Sequence, residues 1–102
     1  MSGVRVVYHY RANPGQLGVV TKEWSERADL CRSEEGCLQY DLFQNLRVPD
    51  ELVMLEWWAT QEAYDAHWQR ELERSMPAPD ASTDLSVEFY EQKAVDLDQS
   101  SE

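Results

Sequence analysis

Residues 4–11 alternate, with Val4, Val6, Tyr8 and Tyr10 on one side and Arg5, Val7, His9 and Arg11 on the other. A period of two marks a strand with one apolar face. Asn13-Pro14-Gly15 stops it, and places Asn13 to cap a helix with Pro14 at the first helical position. From about 15 to 34 the period changes. Leu17, Val20, Trp24, Ala28 and Cys31 recur every three or four residues, while Lys22, Glu23, Glu26, Arg27, Asp29 and Arg32 fall mainly off that stripe. Gly15 and Gly18 weaken the first turn, and Gly36 suits the C′ position.

Residues 37–46 alternate again, with Leu38, Tyr40, Leu42 and Leu46 sharing a face. Val48-Pro49-Asp50-Glu51 reads as a turn. Residues 52–59, LVMLEWWA, are almost continuously apolar, which predicts a central strand covered on both faces. The short connection pairs 37–46 and 52–59 as an antiparallel hairpin. Thr60 caps a second helix, with Glu62 in its first turn. Its inward positions are Tyr64, His67, Trp68, Glu71 or Leu72, and Met76, and Pro77 and Pro79 end it. Residues 77–84 form a polar loop. Residues 85–94 alternate as a fourth strand, with Leu85, Val87 and Phe89 on one face. The order is β-α-β-β-α-β, a ferredoxin-like α+β fold with an antiparallel sheet. One domain spans residues 1–95, and the acidic residues 96–102 read as a disordered tail.

Composition sharpens this picture. The chain has 102 residues, with four Trp, five Tyr and two Phe. So much aromatic surface in a small domain calls for a pocket or a partner. Two helices cover one face of a four-stranded sheet, so the second face asks for cover from another copy. A homodimer with its sheets packed face to face is the expected solution. Twenty acidic against nine basic side chains give a net charge of -11. That charge repels phosphate backbones and anionic lipid, which argues against nucleic-acid and membrane partners. The N-terminal run lacks the pattern of a signal peptide, and a cytoplasmic location is expected. Cys31 and Cys37 lie six apart without a second pair, so their spacing suggests no metal, and both read as small core residues.

A family resemblance emerges from an ordered set of residues. Asn13-Pro14-Gly15 follows the first strand. Gly36-Cys37-Leu38-Gln39-Tyr40 opens the second, Leu55-Glu56-Trp57-Trp58 closes the third, and Glu62-Ala63-Tyr64-Asp65-Ala66-His67 lies on the second helix. This set resembles the antibiotic biosynthesis monooxygenase family over roughly residues 4–95. The resemblance implies a dimeric α+β barrel with one pocket per subunit, between sheet and helices. It also implies cofactor-free oxidation of phenolic compounds as one activity within the family. The haem-degrading branch uses an Asn on the first strand and a later His. Here that strand offers Tyr8, His9 and Tyr10, and no His follows His67.

His67 is the sharpest catalytic candidate, because it shares an apolar stripe with Tyr64 and Trp68 and an imidazole is the natural base near neutral pH. Its alternative role is a core histidine bonded to Glu56 or Tyr40. Tyr8, Tyr40, Trp58 and Tyr64 are the candidate substrate-binding residues. Trp58 is more readily read as packing than as a substrate platform, and Trp24 and Trp68 as packing between helix and sheet. Glu56, a carboxylate in an apolar strand, requires a partner such as Arg or Tyr. No dinucleotide-binding glycine pattern is present, and no cofactor is expected. The leading expectation is a cofactor-independent monooxygenase that combines a small phenolic substrate with dioxygen, using His67 as proton acceptor. The alternatives are a non-oxidative isomerase and a non-catalytic ligand-binding dimer of the same fold.

Overall fold

The computed structural model describes residues 2–93. The elements are β1 (Ser2–Ala12), α1 (Leu17–Arg32), β2 (Cys37–Gln44), β3 (Glu51–Trp58), α2 (Gln61–Leu72) and β4 (Ser82–Lys93). They form a four-stranded antiparallel sheet in the order β2-β3-β1-β4. The ferredoxin-like order expected from the sequence is the order observed. The expected boundary at 95 and the tail 96–102 lie outside the described residues. No helix among the described residues is long and apolar enough to cross a membrane.

β3 is central, as its continuous apolar run predicts, and pairs with β1 and β2. Its inward side chains Leu52, Met54, Glu56 and Trp58 are all buried. Its outward ones, Val53, Leu55 and Trp57, stay half-buried even in the single chain, beside Val7 of β1 on the same face. The core forms where the inner face of β1 and β3 meets Val20, Ala28 and Cys31 of α1.

Several local details differ from the sequence reading. Asn13 does not cap α1: the cap position is Gln16, with no side-chain bond. Instead Asn13 accepts the Gln16 amide at 2.9 Å, and Gly15 has φ of +78°. With Pro14 before it, this is the arrangement of a type II turn, so the helix starts after the turn rather than within it. Gly36 is not C′ of α1, since Ser33 is the C-cap. Gly36 lies further on, with φ of +81°, where an added Cβ would meet the Ala63 Cβ at 2.5 Å. It lets the α1–β2 turn press against the first turn of α2.

Leu46 lies past the end of β2 and is 94% exposed. Leu38 is the extra residue where the β2–β3 register shifts, and its side chain is exposed. Such a bulge breaks the period of two. The expected cap of α2 is present, with Thr60 Oγ1 accepting the Ala63 amide at 3.1 Å. That helix ends at Leu72, with Glu73 as C-cap, well before Pro77. Glu71 faces inward, while Leu72 and Met76 are exposed. β4 begins at Ser82, inside the stretch read as loop.

Candidate active site

A cavity of about 560 Å³ lies between the inner face of the sheet and the two helices. Tyr8, Tyr40, Tyr64 and His67 all line it, together with Tyr10, Trp24, Met54, Glu56 and Glu71. Trp58 is not in this wall. It is fully buried and lies under the His67 ring, centroid to centroid 4.5 Å at 30°. Trp68, expected to pack helix on sheet, is 50% exposed at the cavity rim. Its position one residue past His67 turns it off the buried line of α2.

His67 is the one fully buried residue of α2, at 2% exposure. Aromatic rings surround it: Trp58 beneath, Tyr40 at 5.6 Å and Tyr64 at 6.1 Å between centroids. Its hydrogen-bond partner is neither Glu56 nor Tyr40 but Glu34, whose Oε1 lies 3.1 Å from Nδ1. Glu34 sits in the connection between α1 and β2, and no periodicity marks it. Burial alone would raise its carboxyl, but hydrogen bonds from Arg74, His67 and Arg70 hold it below its ordinary value. Arg74 Nη1 donates at 2.8 Å and Arg70 Nη1 at 2.9 Å.

The tautomer follows from these facts. An ionised carboxylate only accepts, so His67 Nδ1 carries the proton in that bond. Burial lowers the pKa of His67, and this outweighs the attraction of Glu34 and Glu71. The neutral ring then has its lone pair on Nε2, on the side of Glu56 and Glu71, which line the cavity. Nε2 has no hydrogen-bond partner among the described residues. Its nearest oxygens are Glu56 Oε1 at 3.9 Å and Glu71 Oε1 at 4.0 Å.

Glu56 does have a partner, though not an Arg or a Tyr: its Oε1 accepts the Trp58 indole N–H at 3.0 Å. One such bond does not offset desolvation. Burial pushes the carboxyl up to about 7, with Glu71 and Glu34 adding to the rise. Glu71 Oε2 is held by Arg27 at 2.8 Å and Arg74 at 3.2 Å. Burial raises the tyrosines as well, with Asp84 adding to the effect at Tyr8, so the phenols of this wall stay neutral. The Tyr10 hydroxyl and the Trp24 indole N–H are buried without a partner among the described residues. Glu34 and Arg74 escaped the sequence reading, and Arg27 entered it only as a charge off the apolar stripe of α1. Each is an ordinary helix or turn charge whose partner lies 33 or more residues away.

Comparisons with known proteins agree with this architecture. The family model described as "Antibiotic biosynthesis monooxygenase" matches residues 3–76. A solved structure of a proposed antibiotic biosynthesis monooxygenase from Deinococcus radiodurans is similar over 92% of this chain and 97% of that one. It is 21% identical, with a TM-score of 0.77. A Pseudomonas aeruginosa protein is 22% identical over 94% of this chain and 97% of its own, with a TM-score of 0.72. A further antibiotic biosynthesis monooxygenase is 26% identical over 91% of this chain and 99% of its own, also with a TM-score of 0.72. No curated protein sequence matches. With the matched segment running from the first strand to the end of the second-helix region, the chain belongs to the antibiotic biosynthesis monooxygenase family.

Proposed function

We propose that this protein is a cofactor-independent monooxygenase for a small phenolic aromatic compound, with His67 as the proton acceptor. The observation that carries the reading is a neutral His67 whose acceptor nitrogen lies on the side of an aromatic-lined cavity. Family membership supports it from a second direction.

The chemistry needs little beyond these groups. Nε2 takes the phenolic proton, and Glu34 stabilises the imidazolium that forms. The electron-rich anion passes one electron to dioxygen. Recombination of the two radicals forms a C–O bond at the ring CH carbon para to that oxygen, and the distal oxygen takes back the proton held by His67, giving a hydroperoxide. Loss of water leaves a carbonyl, so one oxygen atom stays in the product and the other leaves as water. The low polarity of the Tyr, Trp and Met walls favours delocalised substrate over water. Tyr8, Tyr40 and Tyr64 shape the pocket, and Trp58 acts from beneath by fixing the His67 ring. The second half of the proposal is a homodimer formed through the outer sheet face, where Val53, Leu55 and Trp57 stand.

The test is oxygen uptake by chelator-treated protein with a panel of hydroxylated fused-ring aromatics. The expected result is consumption of one O₂ per product, with product mass raised by a net one oxygen minus two hydrogens. His67→Ala should abolish it. Turnover unchanged in His67→Ala would overturn the role of that residue. A product isomeric with the substrate would favour the isomerase reading instead. An open cavity of this size counts against a purely structural dimer.

A further inference from the structure

We propose that Cys31, His67 and Glu71 form a binding site for a thiophilic divalent cation of the Zn²⁺ class, and that its occupancy shuts off proton transfer at His67. The cation site itself stands on geometry alone, and only the inhibition rests on the function proposed above.

One ligand atom from each of the three residues lies within 4.8 Å of the other two. Glu71 Oε1 is 4.0 Å from Cys31 Sγ and 4.0 Å from His67 Nε2. Zinc bonds of about 2.0–2.3 Å to N, O and S imply ligand-to-ligand spacings of about 3.3–3.7 Å. Closure therefore needs side-chain shifts of about 1 Å or less. One thiolate, one imidazole and one carboxylate make a mixed donor set that suits a borderline-soft cation and disfavours Mg²⁺ or Ca²⁺. Three protein ligands leave a fourth position for water.

The surroundings are arranged as outer-shell support. Metal-binding imidazoles characteristically donate their other N–H to a carboxylate, and Glu34 already accepts that proton from Nδ1. Glu71 has its Oε2 occupied by Arg27 and Arg74, which leaves Oε1 toward Cys31 and His67. His67 and Glu71 are one helical turn apart on α2, and Cys31 ends the buried stripe of α1. Arg74 Nη1 also approaches the Cys31 sulfur, at 3.8 Å. It opposes a bare cation and favours a thiolate, so the two effects act in opposite directions. On binding, the Cys31 thiol gives its proton to solvent and the sulfur takes the cation, with no change in oxidation state. The Nε2 lone pair is then engaged and no longer accepts a substrate proton.

The experiment uses Co²⁺ as a spectroscopic substitute, followed by Zn²⁺ titration in competition with a chromophoric chelator. The protein carries Cys37→Ser, so that Cys31 is the one thiol. The expected result is one Co²⁺ per chain, with a thiolate-to-cobalt charge-transfer band and tetrahedral d–d bands. Absence of the thiolate band overturns the proposal, whatever the variants do. Zn²⁺ affinity should fall about 10–100-fold in Glu34→Gln, as loss of an outer-shell partner predicts. It should be lost in Cys31→Ser, and Zn²⁺ binding that persists in Cys31→Ser also overturns the site. If oxygen uptake is observed, Cys31→Ser should retain it and resist Zn²⁺. If oxygen uptake is absent with every phenol, the cobalt spectrum still decides the cation site.

Discussion

Glu34 Oε1 lies 3.1 Å from Nδ1 of His67 and joins the α1–β2 connection to the middle of α2. This contact sets which nitrogen of the imidazole is free, and two arginines hold Glu34 ionised while it does so. Replacing Glu34 with Gln keeps the shape and removes the charge. The imidazolium that forms during proton transfer then lacks its counter-ion. Oxygen uptake should fall by about 10²-fold, the lower range for general-base contributions. The Michaelis constant should change little, because Glu34 does not line the cavity. Steady-state oxygen-electrode kinetics on the parent and Glu34→Gln check this.

Glu56 should make stability depend on pH. Its carboxyl stands at about 7 in the fold, raised by burial from an ordinary 4.5. The folded state therefore binds the proton more tightly than the unfolded chain. Stability from this group is fully present below about pH 4.5 and is lost as the pH rises through 7. The loss is on the order of 3 kcal/mol. In Glu56→Gln the amide oxygen still accepts from Trp58 and the titration is gone. Urea denaturation should show variant and parent converging at low pH, with the variant the more stable above pH 8.

Gly36 is required where it stands. Its φ is +81°, and a Cβ there would collide with the Ala63 Cβ at 2.5 Å. Left-handed strain alone costs about 1–2 kcal/mol, and the collision adds to it. Gly36→Ala should lower unfolding free energy by about 2–4 kcal/mol, read as a shift in urea midpoint. An Ala63→Gly background should recover part of the loss.

The Tyr10 hydroxyl is buried in the cavity wall without a partner among the described residues. An unsatisfied buried hydroxyl costs about 1–3 kcal/mol. Tyr10→Phe should therefore raise the stability of the ligand-free protein by about 1 kcal/mol. If that hydroxyl meets a substrate oxygen, the same variant raises the Michaelis constant. Calorimetry and kinetics on one preparation separate the two effects.

The outer sheet face predicts the assembly. Val53 stands opposite Phe43 on β2 and His9 on β1. Val53→Arg puts a charge in the middle of the proposed interface. Sedimentation should show a dimer for the parent and a monomer for the variant, with far-ultraviolet circular dichroism unchanged.

The order β-α-β-β-α-β and the central position of β3 were legible from the sequence, because periods of two and of 3.6 are set by backbone geometry and persist along one segment. The inward position of His67 was legible for the same reason, as was the Thr60 cap. Local deviations were less so. The bulge at Leu38 and the turn at Pro14-Gly15 each shift an element by a residue or two, and neither leaves a mark in the hydrophobic pattern of the sequence.

The order of the elements and the inner faces of β1 and β3 follow from the sequence alone, as does the inward turn of Tyr8, Tyr40, Tyr64 and His67. What those residues meet depends on contacts between distant segments. The Glu34–His67 bond joins residues 33 apart, and Glu71 is tied to Arg27 across 44. A charge on a helix or turn has the same sequence pattern whether it faces water or a buried partner. Folding selects the partner, because each carboxylate that leaves water must find a donor to offset its desolvation.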